Sequence, residues 1–105
     1  MDSMSGLRLQ RAIKAKPGDV VEFSLPPIRA PTSYYTKIII SDVVVKNLKL
    51  FAKDNIIISD DREISFHDLK LREGVVSFEV VSVSLFGKAV INIHKHSDTV
   101  WDFYL

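Results

Sequence analysis

The chain has 105 residues, 14 Lys and Arg against 13 Asp and Glu, a formal net charge of +1 and no cysteine. That length is one domain, able to bury about two thirds of its extended surface and so to hold a core without staples. The missing cysteines exclude disulfides, thiolate metal sites, a cysteine nucleophile and dithiol redox work, and the near-balanced charge sets up no strong global field. No apolar run approaches the roughly 20 residues of a membrane helix, and no charged-then-apolar signal opens the chain. A cytoplasmic protein without a membrane span is therefore expected.

Residues 1–6 are small and polar, and are expected to be a disordered start or a cloning remnant. Residues 7–105 then form a single β domain. Leu7, Leu9 and Ile13 alternate with Arg8, Gln10 and Lys14, which reads as a strand with a basic outer face; Leu9, Ala12, Ile13 and Lys16 also fit a short helix. Lys16-Pro17-Gly18-Asp19 is a turn, because Pro presets φ and Gly supplies a positive one. Val21, Phe23 and Leu25 follow at period 2, and Pro26-Pro27 ends that strand by removing two backbone donors.

The loop with Pro26, Pro27 and Pro31 is stiff and extended, and Tyr34-Tyr35 closes it. Ile38-Ile39-Ile40 and Val43-Val44-Val45 are β-branched, so 35–45 reads as strand, with Ser41-Asp42 as a tight turn or a bulge. Leu48 and Leu50 continue an alternation to Lys53-Asp54-Asn55, a hairpin signal before the short strand Ile56-Ile57-Ile58. A charged turn follows at 60–63, then a strand from Ile64 and Phe66 toward Leu69 and Leu71.

Residues 74–96 read as a long central β-hairpin. Val76, Phe78 and Val80 form one apolar set, and the phase changes at Val80-Val81 to Val81, Val83 and Leu85. Such a flip requires an inserted residue or a strand that crosses between sheets. Gly87 is expected to take a positive φ and reverse the chain, so that Ala89, Ile91 and Ile93 return on one face with Asn92, His94 and His96 on the other. Val100, Trp101, Phe103, Tyr104 and Leu105 form an aromatic last strand.

Eight or nine short strands at this spacing imply an all-β fold: an antiparallel two-sheet sandwich, with a small β-barrel as runner-up. The entrance from the first strand through Lys16-Pro17-Gly18-Asp19 to Val21 and Phe23 resembles the first hairpin of immunoglobulin-like sandwiches. The resemblance spans about 20 residues and implies architecture only.

No catalytic constellation emerges. His67, Asp68 and Ser65 are the residue types of a hydrolytic triad, but neighbours on a strand face opposite ways, and the chain lacks a Gly-x-Ser-x-Gly elbow, a phosphate loop and a dinucleotide fingerprint. His94 and His96, at i and i+2, would share a face of a strand and are weak candidates for metal, with His67 or Asp98 as completing ligands. Asp54, Asp60, Asp61 and Glu63 do not have the spacing of a calcium loop. No metal and no cofactor is expected.

Two binding readings remain. The first is a non-enzymatic protein-interaction or structural module, self-associating through a sheet edge or an aromatic patch drawn from Trp101, Tyr104, Tyr34 and Tyr35, since aromatic side chains dominate interface hot spots. The alternative is a nucleic-acid-binding β domain using Arg8, Arg11, Lys14, Lys16, Lys46 and Lys49, with aromatic rings for stacking. The small net charge weighs against the alternative, because counterion release needs many uncompensated cations.

Overall fold

The computed structural model describes residues 11–59, 61–96 and 98–104, with 11–13, 83–86 and 101–104 given by their backbone course only. Seven strands occur among them: β1 (Arg11–Lys14), β2 (Val20–Leu25), β3 (Tyr35–Phe51), β4 (Ile56–Ser59), β5 (Glu63–Ser65), β6 (Gly74–Ile93) and β7 (Thr99–Tyr104). A short 3₁₀ turn, His67–Leu69, follows β5.

β3 and β6 run antiparallel along their whole lengths, from Tyr35 opposite Ile93 to Phe51 opposite Val75. The far side of β6 carries β2 along its first part and β7 along its last. The far side of β3 carries β5 near its start and β4 near its end. β1 lies parallel to β7. All seven strands thus belong to one hydrogen-bonded, mainly antiparallel sheet, curled into a half-barrel. The all-β expectation holds. A two-sheet sandwich is not confirmed, and the barrel alternative is compatible with this architecture.

The sheet curls because the ladder is repeatedly out of step. Val44 pairs with Ser82 and Val45 with Val80, which leaves Val81 as an extra residue in β6. Between Lys46–Glu79 and Lys49–Ser77 the extra residue is on β3, where Asn47 takes φ 57°. Between Ser41–Lys88 and Val43–Val83, β6 advances five positions while β3 advances two, and Asp42 sits at φ 59°. Asp and Asn are the non-glycine residues that enter this left-handed region most readily. Each bulge moves the side-chain alternation by one, as an inserted residue must. The buried set along β3 therefore changes phase three times, from Tyr35 to Ile38 and Ile40, then to Val43 and Val45, then to Leu48 and Leu50. Without these shifts, segments of β3 would turn their apolar residues to solvent.

One continuous core fills the concave side. Directly paired rows such as Phe23–Val76–Leu50 and Ile64–Ile38–Ile91 line it. Full burial of each such side chain stabilises the fold by about 1.5–3 kcal/mol. Phe23 and Phe78 meet edge to face at 6.3 Å inside it.

Several sequence expectations are corrected. Residues 74–93 form a single strand, not a hairpin turning at Phe86-Gly87-Lys88. Gly87 is buried with no positive φ; a Cβ there would stand 3.1 Å from Val43 Cβ, so glycine serves a close approach and not a reversal. The change of phase in β6 is real, but Val81 is the exposed bulge residue and does not begin the second apolar set. The segments 35–45 and 46–51 are one strand. The 16–19 turn does not close a hairpin: β1 pairs with β7 and β2 with β6. The turn docks instead on β6, with Gly18 N–H donating to the Val80 carbonyl and Val80 N–H to that of Asp19, both at 2.8 Å.

Two substitutions test this frame in urea denaturation. Asn47→Val should cost roughly 1–2 kcal/mol through the left-handed backbone, whereas Asn47→Gly should cost nothing or add slightly to stability. Gly87→Ala should cost roughly 1–3 kcal/mol through overpacking against Val43.

Candidate functional site

Two features of the surface hold side chains in arrangements that the core does not require. The first is a ring cluster at the end of the half-barrel where β3 begins. His94 follows the end of β6, and its N–H donates to the Tyr34 carbonyl at 2.8 Å, extending the ladder one step beyond Tyr35–Ile93. This register sets the Tyr34 and His94 rings side by side, stacked with centroids 4.7 Å apart and planes 21° from parallel. The 3₁₀ turn brings a third ring. Phe66 is buried and its N–H donates to the Thr36 carbonyl, which ties the turn to the start of β3. Lys70 leaves it at φ 51°. His67 then lies edge-on to both other rings, 5.4 Å from Tyr34 and 5.7 Å from His94, with Nε2 3.4 Å from the Tyr34 hydroxyl.

The second feature is the outward face of the sheet half built from β2, the first part of β6, the last part of β3 and β4. Cross-strand rows place Ile56 beside Phe51, Val75 and Ser24, and Ile58 beside Lys49, Ser77 and Glu22. The next row holds Lys46, Glu79 and Val20. Ile56 is 61% exposed, Ile58 64% and Val20 68%. β4 ends the sheet on this side, pairing with β3 alone among the described strands. Its sequence Ile-Ile-Ile-Ser carries no charge. Other margins bear the charged residues that ordinarily discourage edge pairing: β2 has the exposed Glu22, and β5 has Glu63, 3.8 Å from Lys37.

The residues singled out in the sequence fall as follows. Tyr34 is half-buried in the ring cluster. Tyr35 is a correction: at 1% exposed it is a core residue, not a contact for a partner. The backbone of β7, including Trp101 and Tyr104, runs between β6 and β1, so the last strand is not an open edge; the side chains of Trp101 and Tyr104 lie outside what is described. Arg8 lies outside the described residues, and Arg11 is placed by its backbone in β1. Lys14 and Lys16 are exposed at the end of β1. Lys46 pairs with Glu79 at 3.3 Å, and Glu22 stands in the row of Lys49, so acids interrupt this basic set.

His94 and His96 do not share a face. Lys95 takes φ 59° between them and breaks the strand alternation. His96 borders a cleft of about 270 Å³ with Pro26, Pro27, Ile28 and Tyr35. That volume is below the roughly 300–1,000 Å³ of ordinary ligand pockets. Among the described residues, no three His, Cys, Asp or Glu are grouped to hold a metal ion. No described helix is long and apolar enough to cross a membrane. Comparison of the chain with family models, curated proteins and solved structures returned no match.

Tyr35 anchors the proline-rich loop beside these features. Its hydroxyl donates to the Pro26 carbonyl, the Arg72 guanidinium donates to the Pro31 carbonyl, and Ile28 N–H donates to the Arg72 carbonyl at 2.9 Å. Burial pushes the Tyr35 hydroxyl up from 10.0 to about 12. A raised phenol contributes stability that is complete below the unfolded value and disappears as pH climbs through the folded one. Folding should therefore lose roughly 2–3 kcal/mol between about pH 10 and about pH 12 from this group. Tyr35→Phe should cost about 1–2 kcal/mol at neutral pH by leaving the Pro26 carbonyl without its donor. Urea midpoints measured from pH 7 to 11 should show the gap between wild type and variant closing at the alkaline end.

Proposed function

We propose that the protein is a non-enzymatic interaction module that associates with a second copy of itself through the β4 edge and the apolar face beside it. One observation carries the reading: an uncharged strand at the margin of the sheet, with two exposed isoleucines and no neighbour beyond it among the described strands. Backbone pairing across such an edge supplies affinity, and alternate side chains supply specificity. Ile56 and Ile58 continue through Phe51 and Val75 onto the outward face, so a joined sheet would cover more apolar surface than the edge alone. Antiparallel pairing of two β4 strands about Ile57 would set each Ile56 against the other copy's Ile58, and Lys53 against Asp61.

Sedimentation velocity over a concentration series tests this. The wild type should form a dimer or larger species that persists as salt rises, because apolar and backbone contacts are little screened. Ile58→Lys should shift the apparent dissociation constant upward by about tenfold or more while leaving the thermal transition within a few degrees, since a lysine on an edge blocks pairing without touching the core. A wild type that stays monomeric at every concentration would refute self-association. Salt-sensitive binding of labelled oligonucleotides in an anisotropy titration would instead favour the nucleic-acid reading carried by Lys14, Lys16, Lys46 and Lys49.

A further inference from the structure

We propose that Tyr34, His67 and His94 form a binding site for one divalent transition-metal ion of the zinc, nickel or copper class. This site is separate from β4 and does not depend on the proposed self-association.

Three potential donors come from three different segments: Tyr34 from the end of the proline-rich loop, His67 from the 3₁₀ turn and His94 from the β6–β7 connection. They meet although Tyr34 and His67 lie 33 residues apart in sequence. The spacing fits metal better than a hydrogen bond. The 3.4 Å between His67 Nε2 and the Tyr34 oxygen is long for an O–H···N bond. Two ligand atoms at about 2.0–2.1 Å from a tetrahedral ion lie roughly 3.3–3.4 Å apart. Two imidazoles on one ion place their ring centres roughly 5–6 Å apart; His67 and His94 stand at 5.7 Å. Their near-perpendicular planes, 81° apart, suit a tetrahedral arrangement in which each ring approaches from its own direction.

The donor chemistry narrows the ion. The two imidazole nitrogens are borderline ligands that suit zinc, nickel and copper, and the Tyr34 oxygen would join them as a phenolate, releasing its proton on binding; calcium and magnesium require several oxygen ligands, mostly carboxylate or carbonyl. The fourth position would fall to water. The site differs from the His94–His96 pairing expected of a regular strand, since Lys95 turns His96 toward the proline cleft. The third donor is the phenol of Tyr34.

The test is calorimetric titration of the untagged full chain with zinc chloride, repeated with nickel chloride. One ion should bind per chain. His67→Ala and His94→Ala should each weaken binding by at least about tenfold, Tyr34→Phe by less, and His96→Ala should leave it unchanged. Circular dichroism of each variant reports folding. Should a histidine variant fail to fold, copper-induced broadening of the imidazole resonances in wild-type protein decides the matter without mutation: His67 and His94 should broaden at substoichiometric copper, and His96 should not. Absence of binding at millimolar zinc and nickel would overturn the proposal. So would binding that survives both histidine variants, or copper broadening centred on His96.

Discussion

The antiparallel ladder between β3 and β6 is the constraint on which the rest of the molecule depends. Two strands of 17 and 20 residues lie together for their full length, and every other strand except β1 pairs with one of them. A ladder of that length cannot stay flat and still close around a core, because strand twist accumulates and one face must remain buried throughout. The bulges at Asp42, Asn47 and Val81 resolve the conflict. Each bends the sheet, and each transfers the apolar set to the alternation that faces inward after the bend.

That geometry also determines where chemistry can gather. At the end where β3 begins, the ladder runs one hydrogen bond past its last strand pair and stacks Tyr34 on His94. The buried Phe66 fastens the 3₁₀ turn beside them and carries His67 into the cluster. At the opposite end of β3 the sheet terminates in β4, where Ile57 packs toward the core and Ile56 and Ile58 do not. The ring cluster and the apolar edge therefore sit at opposite ends of one long strand. Residues within either group are brought together by pairing register, not by nearness in sequence.

The proline-rich loop connects β2 to β3. Prolines remove donors, so the loop cannot join the sheet, and its carbonyls must find partners elsewhere. Tyr35 and Arg72 supply two of them. Tyr35 is thus an apolar core ring with one polar task at its tip, the usual arrangement for a buried tyrosine. Its neighbour Tyr34, one residue earlier, belongs to the surface cluster, and the pair divides core from site within a single dipeptide.

Much of the fold was legible in the sequence. Val21, Phe23 and Leu25 announce β2 by strict alternation, the β-branched runs from Ile38 to Val45 announce β3, and Ser41-Asp42 was readable as a turn or bulge because Asp accepts the left-handed backbone. The phase change near Val80 was visible as well, since it is written in local alternation. What the sequence left open was what glycine and phase changes accomplish. Gly87 is compatible with a reversal or with a close approach, and only the contact with Val43 distinguishes them. His67, His94 and Tyr34 each stood out as residue types, but their meeting depends on the Tyr35–Ile93 register and on the docking of Phe66, both contacts between distant segments. Sequence alone thus determined composition of the strands and their apolar faces, because those obey a period of two residues. Tertiary structure decided which strands joined, where the sheet bent and which rings converged, because those follow from long-range hydrogen-bond register and from the space left around the core.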